Sequence, residues 1–301
     1  MVVLSRDTLS NIFYGARPAL GEVFSFMHMN RTGVADADVP QSSQALALDV
    51  FGTLKHCRSR DRICDQIAIL LEVPNGGPWD IHLEYVDPDN ILGEKQHQTQ
   101  LDVVMFGSRS LIAMECKFAE KRLDPCGQTG KTGKGLVQCN GNYETQTNPS
   151  NGRAALCALT GKKIRYWEYV PRVFRLSADE ARRLCPFAGA RYQWMRTLVT
   201  AYALAEKRGL TPAVGLVHVD RRSMPLHARI KDEAPRMKEL LTGAVKCELM
   251  RYEKMAGVFE AAGDPSERGL FQDLHQWVEA KVNWVEARLD NERAGRKTRA
   301  R

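Results

Sequence analysis

The stretch TQLDVVMFGSRSLIAMECKF (99–118) decides how this chain folds. It holds two apolar runs, TQLDVVMF (99–106) and LIAMECKF (111–118), separated by GSRS (107–110). The separator is short enough for a hairpin. Both runs are apolar on both faces, which suits central strands of a sheet covered on each side. Side chains alternate along a strand, so Glu115 and Lys117 point one way and Cys116 into the opposite layer. The hairpin can bring Asp102 beside Glu115. Two carboxylates and an ammonium would then converge on a largely apolar sheet, which is costly without a partner or a metal.

Outward from this hairpin, SSQALALDVFGTLKH (43–57) and SRDRICDQIAILLEV (59–73) carry apolar residues every three to four positions and predict two helices. PNGGP (74–78) stops the second, and DIHLEYV (80–86) predicts a strand ahead of the hairpin. On the far side, 119–188 is glycine-rich and irregular, with four cysteines. Regularity returns with a helix over 191–209, a buried strand over 212–220, a short helix near 231–242 and a strand near 245–252. A long amphipathic helix closes the chain, with Leu270, Leu274, Val278, Val282, Val285 and Leu289 on one stripe. No internal repeat is visible. The reading is an N-terminal segment (1–42) followed by one α/β domain (43–301). That domain carries an insertion (119–188) and a C-terminal helical extension (253–301).

Asp102, Glu115 and Lys117 in this pattern suit metal-assisted phosphodiester hydrolysis. Hard carboxylate oxygens bind Mg²⁺, which keeps several waters and meets phosphate oxygens. Lysine supplies a compact point charge for a water or a phosphate. A structural Asp/Glu–Lys cluster at a strand edge is the alternative.

The order helix, strand, strand with Asp102, strand with Glu115-x-Lys117, helix, strand resembles the PD-(D/E)XK nuclease superfamily over roughly residues 43–220. Within it, the chain most resembles bacterial proteins assigned as restriction endonucleases. The resemblance implies a restriction-endonuclease-like core, α-β-β-β-α-β, with a mixed sheet flanked by helices. It implies a Mg²⁺-dependent DNA endonuclease in restriction or DNA processing. Asp102, Glu115 and the Cys116 backbone carbonyl would bind the metal, and Lys117 would serve the nucleophilic water. An extra ligand often comes from the first helix, here Gln44 or Asp49, and Glu84 on the first strand is another candidate. Gln193 fits a glutamine common on the helix after the motif, with Arg196 nearby for a phosphate; an exposed polar helix face would look the same. The proline of the motif is absent, since Leu101 precedes Asp102.

Composition bounds these readings. Hydrophobic residues make up 44% and charged residues 26%, which excludes disordered and fibrous classes. The apolar stretches fall far short of the ~18 residues of a spanning helix. Arg6 and Asp7 stand where a signal peptide wants an apolar core, so a cytoplasmic protein with reduced thiols is expected. Cys57, Cys64, Cys116 and Cys247 are then expected to pack as small apolar residues. Residues 1–150 hold 14 Lys/Arg against 18 Asp/Glu, and residues 151–301 hold 29 against 18. A basic half ending in ERAGRKTRAR (292–301) fits a polyanionic partner such as DNA. A duplex needs two cuts, which a homodimer would supply.

Three further features compete for attention. PCGQTGKT (125–132) is near a phosphate-binding GxxxxGK[ST] loop, and LVHVD (216–220) resembles its partner strand, which together would suggest an ATPase. Such a loop runs directly from strand to helix, whereas here AEKRLD intervenes and Pro125 replaces the first glycine. Cys126, Cys139, Cys157 and Cys185 could meet on a [4Fe–4S] cluster or Zn²⁺, as some relatives carry the former, or could be four independent buried thiols. KKIRYWEYVPRVFR (162–175) interleaves cations with aromatics, suiting either single-strand binding or a packed strand or hairpin. A nucleic-acid-binding protein without catalysis is the alternative function on the same fold.

Overall fold

The hairpin forms as the sequence implies. In a computed structural model, which describes residues 10–23, 38–94, 98–128, 157–176 and 185–299, β1 (Asp80–Val86), β2 (Gln100–Phe106) and β3 (Ser110–Lys117) run antiparallel to one another. The Gly107 N–H donates to the Ser110 carbonyl at 2.9 Å and closes the β2–β3 turn. β4 (Thr211–His218) and β5 (Lys246–Arg251) then add in parallel to give one five-stranded mixed sheet in the order β1-β2-β3-β4-β5. Every residue of β3 is buried, as a central strand with both faces covered requires.

Two helical layers do the covering. On one face lies α1, which starts at Ser43–Ala47, passes through a π turn Leu48–Gly52 and ends at Thr53–His56. The Ser42 hydroxyl accepts from the Ala45 N–H at 3.3 Å and caps its start. A Cβ on Gly52 would lie 3.2 Å from the Ala16 Cβ, so the bare backbone lets the N-terminal segment press close. Ile12, Phe13, Ala16, Ala19 and Leu20 from that segment are buried in the same core as α1. α2 (Arg60–Leu70) completes the layer together with two C-terminal helices described below.

The opposite face holds α3 (Tyr166–Val173), α4 (Tyr192–Arg208) and α5 (His227–Glu239). α4 stops at Gly209, whose φ of 67° is the left-handed conformation of a helix C-cap. The first of the C-terminal helices is α6 (Tyr252–Ala262), and after Gly263 the chain turns into the 32-residue α7 (Arg268–Arg299). Among the described residues no helix is long and apolar enough to cross a membrane.

Two expectations change. The 162–175 segment is not a strand or hairpin: Tyr166, Tyr169, Val170 and Val173 recur at helical spacing and are buried on one face of α3. The described residues of the region 119–188 include α3 and a short helical turn Ala158–Gly161.

Candidate active site

One step beyond the Val103–Met114 pair of the β2–β3 register, Asp102 stands opposite Glu115. The Cys116 N–H donates to Asp102 Oδ2 at 2.6 Å, which locks the carboxylate against β3. Glu115 is 2% exposed. Its Oε1 lies 2.9 Å from the Lys117 Nζ, and its Oε2 accepts from the Thr197 hydroxyl of α4 at 2.6 Å. Cys116 points into the other layer, among Met114, Val217 and Tyr252.

These groups shift one another's protonation. Burial pushes the Asp102 carboxyl well above the usual carboxylate range; the Glu115 charge adds to this and the Lys117 ammonium offsets part of it. For Lys117, burial alone would lower the ammonium. The carboxylates of Glu115, Glu120 and Asp102 outweigh it and raise the group above its ordinary value, so the cation persists.

Around them opens a cleft of about 390 Å³. Ser42, Ser43 and Gln44 reach it from the start of α1, Glu84 from β1, and Gln193 and Arg196 from α4. The Gln44 side chain has both amide atoms buried with no hydrogen-bond partner among the described residues. Buried amides are ordinarily satisfied, and this one stands beside Asp102 and Glu115 in the lining of the cleft. Glu84 has a φ of 51°, an uncommon conformation for a non-glycine residue inside a strand.

Asp49 is corrected. It is fully buried on the far side of α1, where Lys281 Nζ (2.7 Å), the Phe13 N–H (2.7 Å) and the Trp277 Nε1–H (2.9 Å) all donate to it. It ties the N-terminal segment to α7 and has no part in the cleft. Arg196 does reach the cleft, but its Nε donates to the Tyr166 hydroxyl at 2.9 Å and the Thr99 hydroxyl at 3.1 Å, with Glu94 at 3.4 Å. It is a wall of the cleft as much as a free cation. Thr197 and the Glu94–Thr99–Tyr166 group are what sequence reading missed. Thr197 lies one helical turn after Gln193, so its place on the same face was available from the period alone.

Among the described residues no three His, Cys, Asp or Glu side chains form a ready-made metal group. A hard cation here would rest on Asp102 and Glu115, with the Cys116 carbonyl and the Gln44 amide oxygen as neutral donors. Mg²⁺, which retains water and meets substrate phosphate, matches so sparse a protein shell.

The seven described cysteines are all free thiols. Cys57, Cys64, Cys116 and Cys247 are buried free thiols, and burial pushes the Cys57 thiol up to about 12. Cys126, Cys157 and Cys185 line one small pocket walled by Tyr166, Trp167, Phe187, Tyr192 and Met195. Cys139 lies outside the described residues. Of the near-phosphate loop, Pro125–Cys126–Gly127–Gln128 stands in irregular chain well after β3 ends, and 129–132 also lie outside them. Asp220, the acid of the strand that resembled its partner, is held by Arg251 at 2.8 Å and Lys231 at 3.1 Å. Comparison with known proteins finds no matching family model, no curated relative and no solved structure.

Proposed function

We propose that this chain is a Mg²⁺-dependent nuclease of the PD-(D/E)XK kind, hydrolysing DNA phosphodiesters in restriction or DNA processing. One observation carries the reading: Asp102, Glu115 and Lys117 line a single cleft, beside a buried Gln44 amide that lacks a partner among the described residues. Asp102, Glu115, the Cys116 carbonyl and Gln44 would hold the ion. When bound, such an ion lowers the pKa of a water and neutralises charge developing at phosphorus. The chain's own groups do the rest. Thr197 holds one oxygen of Glu115 by a hydrogen bond, and the other lies 2.9 Å from the Lys117 ammonium. Lys117 keeps its charge on the cleft floor, where it holds an attacking water or a phosphate oxygen. Gln193 and the amides of Gln98 and Gln100 offer uncharged donors along the wall.

Purified protein should nick DNA with Mg²⁺ and stop when EDTA is added; cleavage that persists in EDTA would exclude the reading. The second reading, nucleic-acid binding without catalysis, draws on the Lys117–Glu115 pair, which could be purely structural, and on the basic half of the chain. Binding that is tight but never followed by cleavage would favour it. A thiolate-held iron–sulfur or zinc centre at Cys126, Cys139, Cys157 and Cys185 belongs to the same proposal. Its support is that Cys126, Cys157 and Cys185 line one pocket, although these three alone form no ready-made metal group. Metal analysis of protein purified without air tests it. A homodimer, for paired cuts, is tested by the solution mass.

A further inference from the structure

At the end of the sheet where the cleft opens, a row of side chains continues across the parallel strands. Lys117 on β3 stands level with His218 on β4, and His218 with Arg251 on β5. Parallel neighbours in register share a face, and at about 4.8 Å per strand the Lys117 and Arg251 backbones are about 10 Å apart. Just past β4, the Asp220 carboxylate holds Arg251 at 2.8 Å, Lys231 at 3.1 Å and the His227 Nε2 at 3.0 Å. The side chains of Arg251 and Lys231 are 44% and 39% exposed, whereas Asp220 is only 15% exposed. One sunken carboxylate therefore lies under two outward cations.

The local excess is one charge, two cations over one carboxylate. Asp232 pairs with Arg236, Glu248 with Lys238, and Glu253 and Glu279 with Arg221. His218, between the cleft and this cluster, is 2% exposed, and its Nε2 has no hydrogen-bond partner among the described residues. Counted with these pairs, five cations face five carboxylates, so the excess is confined to the two outward cations over Asp220, at the sheet end that also carries Lys117.

We propose that Lys231 and Arg251 form a phosphate-binding subsite that takes a neighbouring backbone phosphate of the DNA strand whose scissile phosphate lies at Lys117. The subsite rests on the nuclease reading and adds to it the path of the strand, across the sheet end from β3 toward β5. Paired cations on one polyanion release counterions, so they act on affinity through its salt dependence.

The test measures binding of a short fluorescein-labelled DNA duplex across a salt series, and hydrolysis of bis(p-nitrophenyl) phosphate, which is too small to reach the subsite. The Lys231→Gln/Arg251→Gln double variant should lose on the order of tenfold to a hundredfold in DNA affinity. Its salt slope should flatten by about 2. Asp220→Asn, which keeps the cations and removes their counter-charge, should bind DNA more tightly. Both variants should hydrolyse the small diester as the native protein does, which also shows that they fold. DNA binding by the double variant equal to the native protein's, or weaker binding by Asp220→Asn, would overturn the subsite and leave the nuclease reading standing. Native protein that neither binds nor cuts DNA would instead remove the nuclease reading itself.

Discussion

One oxygen of Glu115 accepts from a hydroxyl on α4, and the other lies 2.9 Å from an ammonium on its own strand with no hydrogen bond among the described residues. Burial raises the Asp102 carboxyl, so a cation binding there displaces its proton. Asp102→Asn and Glu115→Gln should each weaken Mg²⁺ binding by tenfold or more in calorimetry, and the double variant should be little worse than either. Thr197→Val should cost roughly tenfold in metal affinity or cleavage, as loss of a ligand's outer partner does, and Thr197→Ser should restore it. A Thr197→Val protein with native metal affinity and native cleavage would show that the hydroxyl only packs. The placement of Asp102, Glu115 and Lys117 was legible because strand alternation fixes faces without further information. The choice between Gln44 and Asp49 was not. They sit five residues apart, about 140° around a regular helix, and only the packing of α7 reveals which one faces the core.

At the scale of elements, the Asp49–Lys281 pair joins three pieces distant in sequence: the N-terminal segment, the π turn of α1 and α7. Lys281 also donates to the Asn11 carbonyl at 2.8 Å, so the ammonium is satisfied from two sides. Removing one partner leaves an uncompensated buried charge. Lys281→Met or Asp49→Ala should therefore lower the unfolding free energy by about 3–5 kcal/mol in urea. Replacing both should cost clearly less than the sum of the two. An additive double variant would mean that the pair is not coupled. The strand ends in the hairpin were legible to within a residue or so, since GSRS and the flanking alternation bound them tightly. α3 was not, because its β-branched Val170 and Val173 favour a strand while the spacing of its buried residues favours a helix.

For the whole molecule, the three-layer arrangement was legible from the order of helices and strands, but not from charge. Among the described residues many cations of the second half stand in ion pairs, and around Asp220 two outward cations share one sunken carboxylate. His218, at the edge of that surface, couples protonation to folding. Burial depresses its imidazole to about 4 from an ordinary 6.5, so the native state holds it neutral. The unfolded chain takes up the proton first. Its contribution is therefore intact above pH 6.5 and is lost as the pH falls from 6.5 through about 4, to the extent of about 3 kcal/mol. Comparing the native protein with His218→Asn by denaturation at pH 7 and pH 4.5 isolates this group. The gap between the two should change in favour of the variant at the lower pH, and an unchanged gap would mean that His218 is protonated in the fold.

The claim that joins all three scales is that Lys117, held by Glu115 opposite Asp102, is part of a hydrolytic centre. The most direct test incubates supercoiled plasmid with Mg²⁺ and either native protein or Lys117→Ala, after thermal melting has shown both to be folded. Native protein should convert the plasmid to nicked and linear forms, and Lys117→Ala should do so at least about a hundredfold more slowly. Equal rates of cutting by the two proteins would contradict the account.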